Sequence, residues 1–151
     1  METAGGGRIT IISDSLVLNG FGVPISANAK PYETFTAPYK EPGGSGGYIY
    51  IKTWNRRLQN EVNEDIRIEA KGGYGTNGGS GGVIVFEHSF EVSEEQVSAE
   101  GGTSTKKEEA EIGCGDGAAG TIFMRGKRGE TRLTVDNKGK MTNKNTFLVP
   151  F

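Results

Sequence analysis

Gly78-Gly79-Ser80-Gly81-Gly82 runs directly into Val83-Ile84-Val85-Phe86, and Gly43-Gly44-Ser45-Gly46-Gly47 runs into Tyr48-Ile49-Tyr50-Ile51 in the same way. Gly5-Gly6-Gly7 precedes Arg8-Ile9-Thr10-Ile11, and Gly117-Ala118-Ala119-Gly120 precedes Thr121-Ile122-Phe123-Met124. The apolar stretches begin at Arg8, Tyr48, Val83 and Thr121, spaced 40, 35 and 38 residues apart. Periods in this range mark repeat architectures, in which each unit buries its apolar face only against its neighbours. Glycine supplies 25 of the 151 residues, against a usual share of about 7%. The glycines are clustered and each cluster feeds alternating apolar residues, so they read as ordered hinges, not as flexible linker. Their expected role is conformational: a sharp corner reached through positive φ, where a Cβ is penalised.

The second half of each period repeats as well. It reads Ile25-Ser26-Ala27-Asn28-Ala29-Lys30, then residues 66–73 (IRIEAKGG), then Val97-Ser98-Ala99-Glu100-Gly101-Gly102, then residues 133–139 (LTVDNKG). A weaker segment lies between the two halves, Ser15-Leu16-Val17-Leu18 in the first period and Phe90-Glu91-Val92 in the third, with a poorly formed counterpart around Leu58. Three short strands per turn describe an all-β fold, a single-stranded parallel β-helix (β-solenoid) of about four coils. Equivalent strands would stack about 4.8 Å apart, and the hand is taken as right from the general rule for parallel crossovers. Residues 1–151 read as one module with insertion loops near 30–43 and 103–116. A solenoid end exposes strand edges and open core, so the chain is expected to be a piece of a longer solenoid or to have a partner over an end.

Strand alternation assigns the faces. Ile9 and Ile11, Ile49 and Ile51, Ile84 and Phe86, and Ile122 and Met124 point inward as one stacked core. The outward rows are Thr10, Tyr50, Val85 and Phe123, beside Arg8, Tyr48, Val83 and Thr121. Such an apolar outer face implies that the first sheet is covered. It is covered either by the insertion carrying Tyr32, Phe35 and Tyr39 or by a partner, for which Tyr48, Tyr50, Val85 and Phe123 are the candidate surface. The outward row of the last strand reads as polar: Ser26, Arg67, Gln96 and Thr134.

The net charge of −2 with interspersed signs lacks the basic face that nucleic-acid binding needs. No apolar run is long enough for a membrane-spanning helix, and no signal-peptide pattern opens the chain. His88 and Cys114 are the single histidine and cysteine, so neither a zinc ligand set nor a Cys-His nucleophile is readable, and no cofactor is expected. Asp65 and Glu94 occupy equivalent outward positions on adjacent coils, with Arg67 and Arg132 nearby, and are weak candidates for one hard cation. Trp54, Arg56 and Arg57 together form a possible glycan platform. The Gly113–Gly117 segment carries Asp116 in a glycine-aspartate pattern of the kind that turns around calcium.

With these motifs in view, the chain resembles the glycine-rich β-solenoid repeat proteins of the GGSGG-x-I-x-I type. The resemblance rests on Gly43–Ile51, Ile66–Gly73, Gly78–Phe86 and Val97–Gly102. More broadly the chain is similar to the parallel β-helices of pectate lyases and phage tailspikes. The first resemblance implies a non-enzymatic spacer, adhesion or assembly module of an extracellular or cell-surface protein. The second implies a carbohydrate-binding or polysaccharide-lyase-like β-helix with acidic residues holding calcium.

Overall fold

The computed structural model describes residues 4–18, 25–30, 42–54, 61–62, 67–87, 92–105, 115–126, 128–140 and 142. In chain order the strands are β1 (Arg8–Ser13), β2 (Val17–Leu18), β3 (Ile25–Ser26), β4 (Tyr48–Thr53), β5 (Glu61–Val62), β6 (Ile68–Glu69), β7 (Val83–Glu87), β8 (Val97–Ser98), β9 (Thr121–Arg125) and β10 (Thr131–Thr134). They form an all-β, solenoid-like fold of three sheets, ordered β1-β4-β7-β9-β10, β2-β5 and β3-β6-β8. Every pairing is parallel and joins equivalent strands of successive coils, except that between β9 and β10.

The register carries Ile9 onto Ile49, Ile84 and Ile122, and Ile11 onto Ile51, Phe86 and Met124. On the opposite wall Ile25, Ile68 and Val97 stack, with Ala27, Ala70 and Ala99 next to them in the core. Ile49, Ile51, Ile68 and Ile84 are fully buried, while Ile9, Ile11, Ile25 and Met124 at the stack's ends are only partly so. Each enclosed isoleucine contributes about 1.5–3 kcal/mol. The weaker third strand of coil two is Glu61–Val62, paired with Val17–Leu18; the stretch around Leu58 lies outside the described residues. Also outside them are Asp65, Ile66, His88, Phe90, Cys114 and the greater part of both insertion loops.

The glycine clusters are not corners. Among the described residues only Gly129 and Gly139, with Lys138, have positive φ. Successive N–H groups in the cluster instead point in three directions. Gly46 N–H donates up the stack to Ser80, Gly47 N–H across the interior to Ala27, and Tyr48 N–H down the stack to Gly7. Gly81, Gly82 and Val83 repeat this, donating to Ala118, Ala70 and Gly47. Three directions in three residues is the period of an extended polyproline-II-type chain, not the two-fold period of a strand. Such a segment has backbone on every side, so a Cβ on Gly47, Gly82 or Gly120 would overlap the carbonyl of the equivalent glycine one coil earlier. One on Gly46 or Gly81 would overlap the carbonyl of Ala70 or Ala99. Close approach, not left-handed geometry, is what demands glycine here. Alanine enters the layer at Ala119, the counterpart of Gly81, in coil four.

In coil four the parallel stacking is interrupted. The second-half strand expected to stack on Val97 is not formed. The chain reverses through Gly126–Glu130, where Gly126 N–H donates to Glu130 O (2.8 Å) and Gly129 has φ +85°. β10 then pairs antiparallel with β9, Leu133 opposite Phe123. The hairpin covers the free edge of β9, and Asn137 completes the cap. In earlier coils Gly72 N–H donates to Glu100 O, and Gly79 O accepts from Gly102 N–H. Their coil-three and coil-four counterparts are Gly101 N–H and Gly117 O, which meet the Asn137 side chain at 2.8 and 2.9 Å. One side-chain amide thus stands in for the backbone of a further coil.

The outward row of the last sheet is also corrected. Register places Ser26, Glu69 and Ser98 in line. Gln96 belongs instead to a single 3-10 turn, Glu94–Gln96, and is buried while its Oε1 accepts from Ser93 N–H (3.0 Å).

Two substitutions test this layer. Gly82→Ala puts a methyl group against rigid backbone and should destabilise by about 1–3 kcal/mol or more, read as a lowered denaturant midpoint. Asn137→Ala leaves a buried N–H and a carbonyl unpaired and should cost about 1–3 kcal/mol, with faster hydrogen exchange at Gly101.

Candidate functional site

The outer face of the five-stranded sheet brings the predicted surface residues side by side. Tyr50, Val85 and Phe123 lie in register on β4, β7 and β9, beside Tyr48, Val83 and Thr121. Val85 is only 4% exposed although it faces outward. It sits between two aromatic side chains on the flanking strands, while Tyr48, Tyr50 and Phe123 remain partly exposed. The insertion proposed as a cover, with Tyr32, Phe35 and Tyr39, lies outside the described residues.

A polar border runs along this face. Ile12, Lys52, Glu87 and Arg125 share one register row, and Lys52 Nζ lies 2.9 Å from Glu87 Oε2. Burial, reinforced by the negative charge of Glu87, pushes the Tyr50 hydroxyl above its usual range. The hydrogen bond that Lys52 donates to the Glu87 carboxylate raises the pKa of its ammonium as well. Lys52 Nζ also sits 4.2 Å from the Trp54 ring centroid, and the Arg8 guanidinium lies 5.2 Å from that of Tyr48. Trp54 is 59% exposed just past the end of β4. Its partners in the expected glycan platform, Arg56 and Arg57, lie outside the described residues.

The acidic pair expected to hold a hard cation is Asp65 and Glu94. Asp65 lies outside the described residues, and the Glu94 carboxylate forms an ion pair with Arg132 of the closing hairpin. Among the described residues no three His, Cys, Asp or Glu side chains come together in a way that could hold a metal ion. Asp116 is buried and accepts Ser104 N–H at 2.8 Å, while Ser104 Oγ donates to Thr76 O. It therefore ties coil three to the start of coil four.

The reading by residue type missed a ladder on the opposite sheet. Asn28 Nδ2 donates to Glu69 Oε2 (3.0 Å), and Lys71 Nζ bridges Glu69 (2.7 Å) and Glu100 (3.3 Å). Lys140 Nζ closes the row on Glu100 (3.0 Å) and Gly101 O (2.6 Å). The signal was present in alternate residues of the second half-repeats, Ser26/Asn28, Glu69/Lys71 and Ser98/Glu100. It needed the coil-to-coil register to become a chain of opposite charges. Comparison with known protein families, characterised proteins and solved structures finds no match to the chain.

Glu100 gives this ladder a pH signature. Burial by itself would raise its carboxyl, but hydrogen bonds and charge from Lys140 and Lys71 outweigh that and hold it below the ordinary value. A carboxylate depressed on folding contributes stability that is complete above its unfolded pKa and is lost as pH falls through the folded value. Glu100→Gln should therefore lower stability at pH 7 by about 1 kcal/mol and flatten the acid limb of the stability profile below about pH 4.5, measured by chemical denaturation across pH.

Proposed function

We propose that this chain is a non-enzymatic structural and interaction module, built as a right-handed single-stranded parallel β-helix of the glycine-rich solenoid type. It serves as a spacer, adhesion or assembly surface in an extracellular or cell-surface protein. The observation that carries this reading is the outer face of β4, β7 and β9. There Tyr48, Tyr50, Val83 and Phe123 are partly exposed around the buried Val85, in register on three parallel strands. A sheet face this apolar is suited to contact with protein, whether other segments of the parent chain or a separate partner. The charged border of Lys52, Glu87 and Arg125 gives such a contact a polar rim, the anatomy of a protein interface.

One observation favours a second reading. The exposed Trp54 indole, with Lys52 against it, is the kind of aromatic platform that stacks on a sugar ring. A glycan-binding or lyase-like β-helix would use it with Arg56 and Arg57, and would recruit Asp65.

Incubation with acidic polysaccharides, with and without calcium, separates the two. The module reading expects no release of unsaturated sugars and no retardation in polysaccharide-containing gels. Product release abolished by Asp65→Ala would establish a lyase, and retardation lost in Trp54→Ala a glycan binder.

A further inference from the structure

Residues 131–140 strap coil four with their faces reversed. Residues 133–139 (LTVDNKG) carry the second-half pattern of Val97-Ser98-Ala99-Glu100-Gly101, apolar positions alternating with polar ones. In coils two and three the apolar positions of that pattern turn inward, and Ile68, Ala70, Val97 and Ala99 are buried. In the strap Leu133 is 47% exposed and Val135 45% exposed. Its polar residues Arg132, Thr134, Asp136 and Lys138 instead line a cavity of about 30 Å³, whose opposite wall includes Val97, Ala99 and Ile122. That volume suits a single water molecule and excludes a larger ligand. It records a polar strap laid against an apolar wall.

Two further details belong to the same place. Lys138 has φ +53° and is the one non-glycine residue with positive φ among the described residues, a conformation in which L side chains are strained. Ser98 Oγ, on the β8 side of the cavity, is buried with no hydrogen-bond partner. Backbone pairing of the strap with β9 spans only Thr131–Thr134. The rest of its attachment is made by side chains: Arg132 to Glu94, Asn137 to Gly101 and Gly117, and Lys140 to Glu100.

We infer that residues 131–140 are a two-state strap. In the second state the segment leaves β9 and stacks in parallel on β8, with Leu133 over Val97, Thr134 over Ser98 and Val135 over Ala99. The apolar residues then face the core, since a changed register turns the other face of a strand inward. The Thr134 hydroxyl reaches the unpartnered Ser98 Oγ, a cross-strand hydroxyl pair of the kind that stabilises sheets. The chain is long enough. Seven residues (126–132) lie between Arg125 and Leu133, where coil three places nine (88–96) between Glu87 and Val97 and folds three of them into a 3-10 turn. One group opposes the move: Asp136 comes to lie over Glu100, and like charges side by side are destabilising. Asp136 and the side-chain clamps keep the second state minor. Two packings of one segment that lie close in free energy form a switch. Its output is the edge of β9, covered in the first state and open to another strand in the second. The inference goes beyond the interaction-module reading and does not depend on it.

Methyl relaxation-dispersion NMR on the full chain reads the two states directly. The Leu133, Val135 and Val97 methyl groups are expected to share one exchange process in the unsubstituted protein. Asp136→Lys puts an opposite charge over Glu100 and leaves Asn137 and Lys140 in place. It should raise the minor population roughly tenfold and bring out a nuclear Overhauser contact between Leu133 and Val97. The double variant Asn137→Ala/Lys140→Ala should reach the same state by releasing the clamps. Leu133→Asp changes a residue that is half exposed in the first state, so it should keep the β9–β10 pairing and abolish the exchange. Flat dispersion profiles in the protein and in Asp136→Lys would overturn the inference. So would a released strap with random-coil shifts and no Leu133–Val97 contact, or an exchange process that survives Leu133→Asp.

Discussion

Contact of backbone with backbone, without intervening side chains, is the constraint on which this structure depends. At one end of each coil the isoleucine columns separate the walls. At the other end the walls meet through glycine, with N–H groups of Gly47, Gly82 and Gly120 bonded directly to carbonyls of Ala27, Ala70 and Ala99. The two walls are therefore separated by side chains where isoleucine lies between them and in direct backbone contact where glycine does. Apolar burial supplies the driving force at the isoleucine end. At the glycine end there is little side-chain area to bury, and cohesion comes from hydrogen bonds that leave few peptide groups unpaired.

This arrangement explains how a chain with few large apolar residues holds a regular frame. The frame in turn determines what the surface can present. In-register stacking puts like positions side by side, so whatever the repeat carries at one outward position becomes a row. On the five-stranded sheet the rows are aromatic and aliphatic, bordered by the Lys52–Glu87 pair. On the three-stranded sheet they are amide and charge, and the alternation of Glu69, Lys71, Glu100 and Lys140 turns a row of side chains into a bonded ladder. Partly buried pairs in a network contribute more than isolated surface pairs. The ladder also ties the closing segment to the repeats, because Lys140 belongs to the cap and Glu100 to coil three.

The hairpin and Asn137 show how the parallel stacking is interrupted by the chain itself. An antiparallel hairpin saturates one strand edge, and the Asn137 amide, which carries both a donor and an acceptor, substitutes for a peptide group of the missing coil. Neither device adds much apolar contact. Both satisfy polar groups that would otherwise face solvent or remain unpaired.

Much of this was determined by the sequence alone. The spacing of the glycine clusters, the Ile-x-Ile alternation after them, and the Ile-x-Ala half-repeats were enough for the all-β, solenoid-like fold and for the register of Ile9, Ile49, Ile84 and Ile122, since a two-residue period admits only one inward face per strand. The outer rows through Tyr50, Val85 and Phe123 follow from the same alternation. Other features were decided by the tertiary structure. The glycines of the clusters look like turn residues because composition does not distinguish a glycine needed for φ from one needed for proximity, and only the neighbouring coil reveals the second. Leu133-Thr134-Val135 has the pattern of another stacked strand, but Gly126–Glu130 makes a reversal that pairs it backwards. Gln96 looks like an outward strand residue and is drawn inward by Ser93. The Glu69–Lys71–Glu100–Lys140 ladder joins residues far apart in the chain. Local patterning specifies which face of a strand is buried, but the partner of each group is a property of the stack, and no single coil contains it.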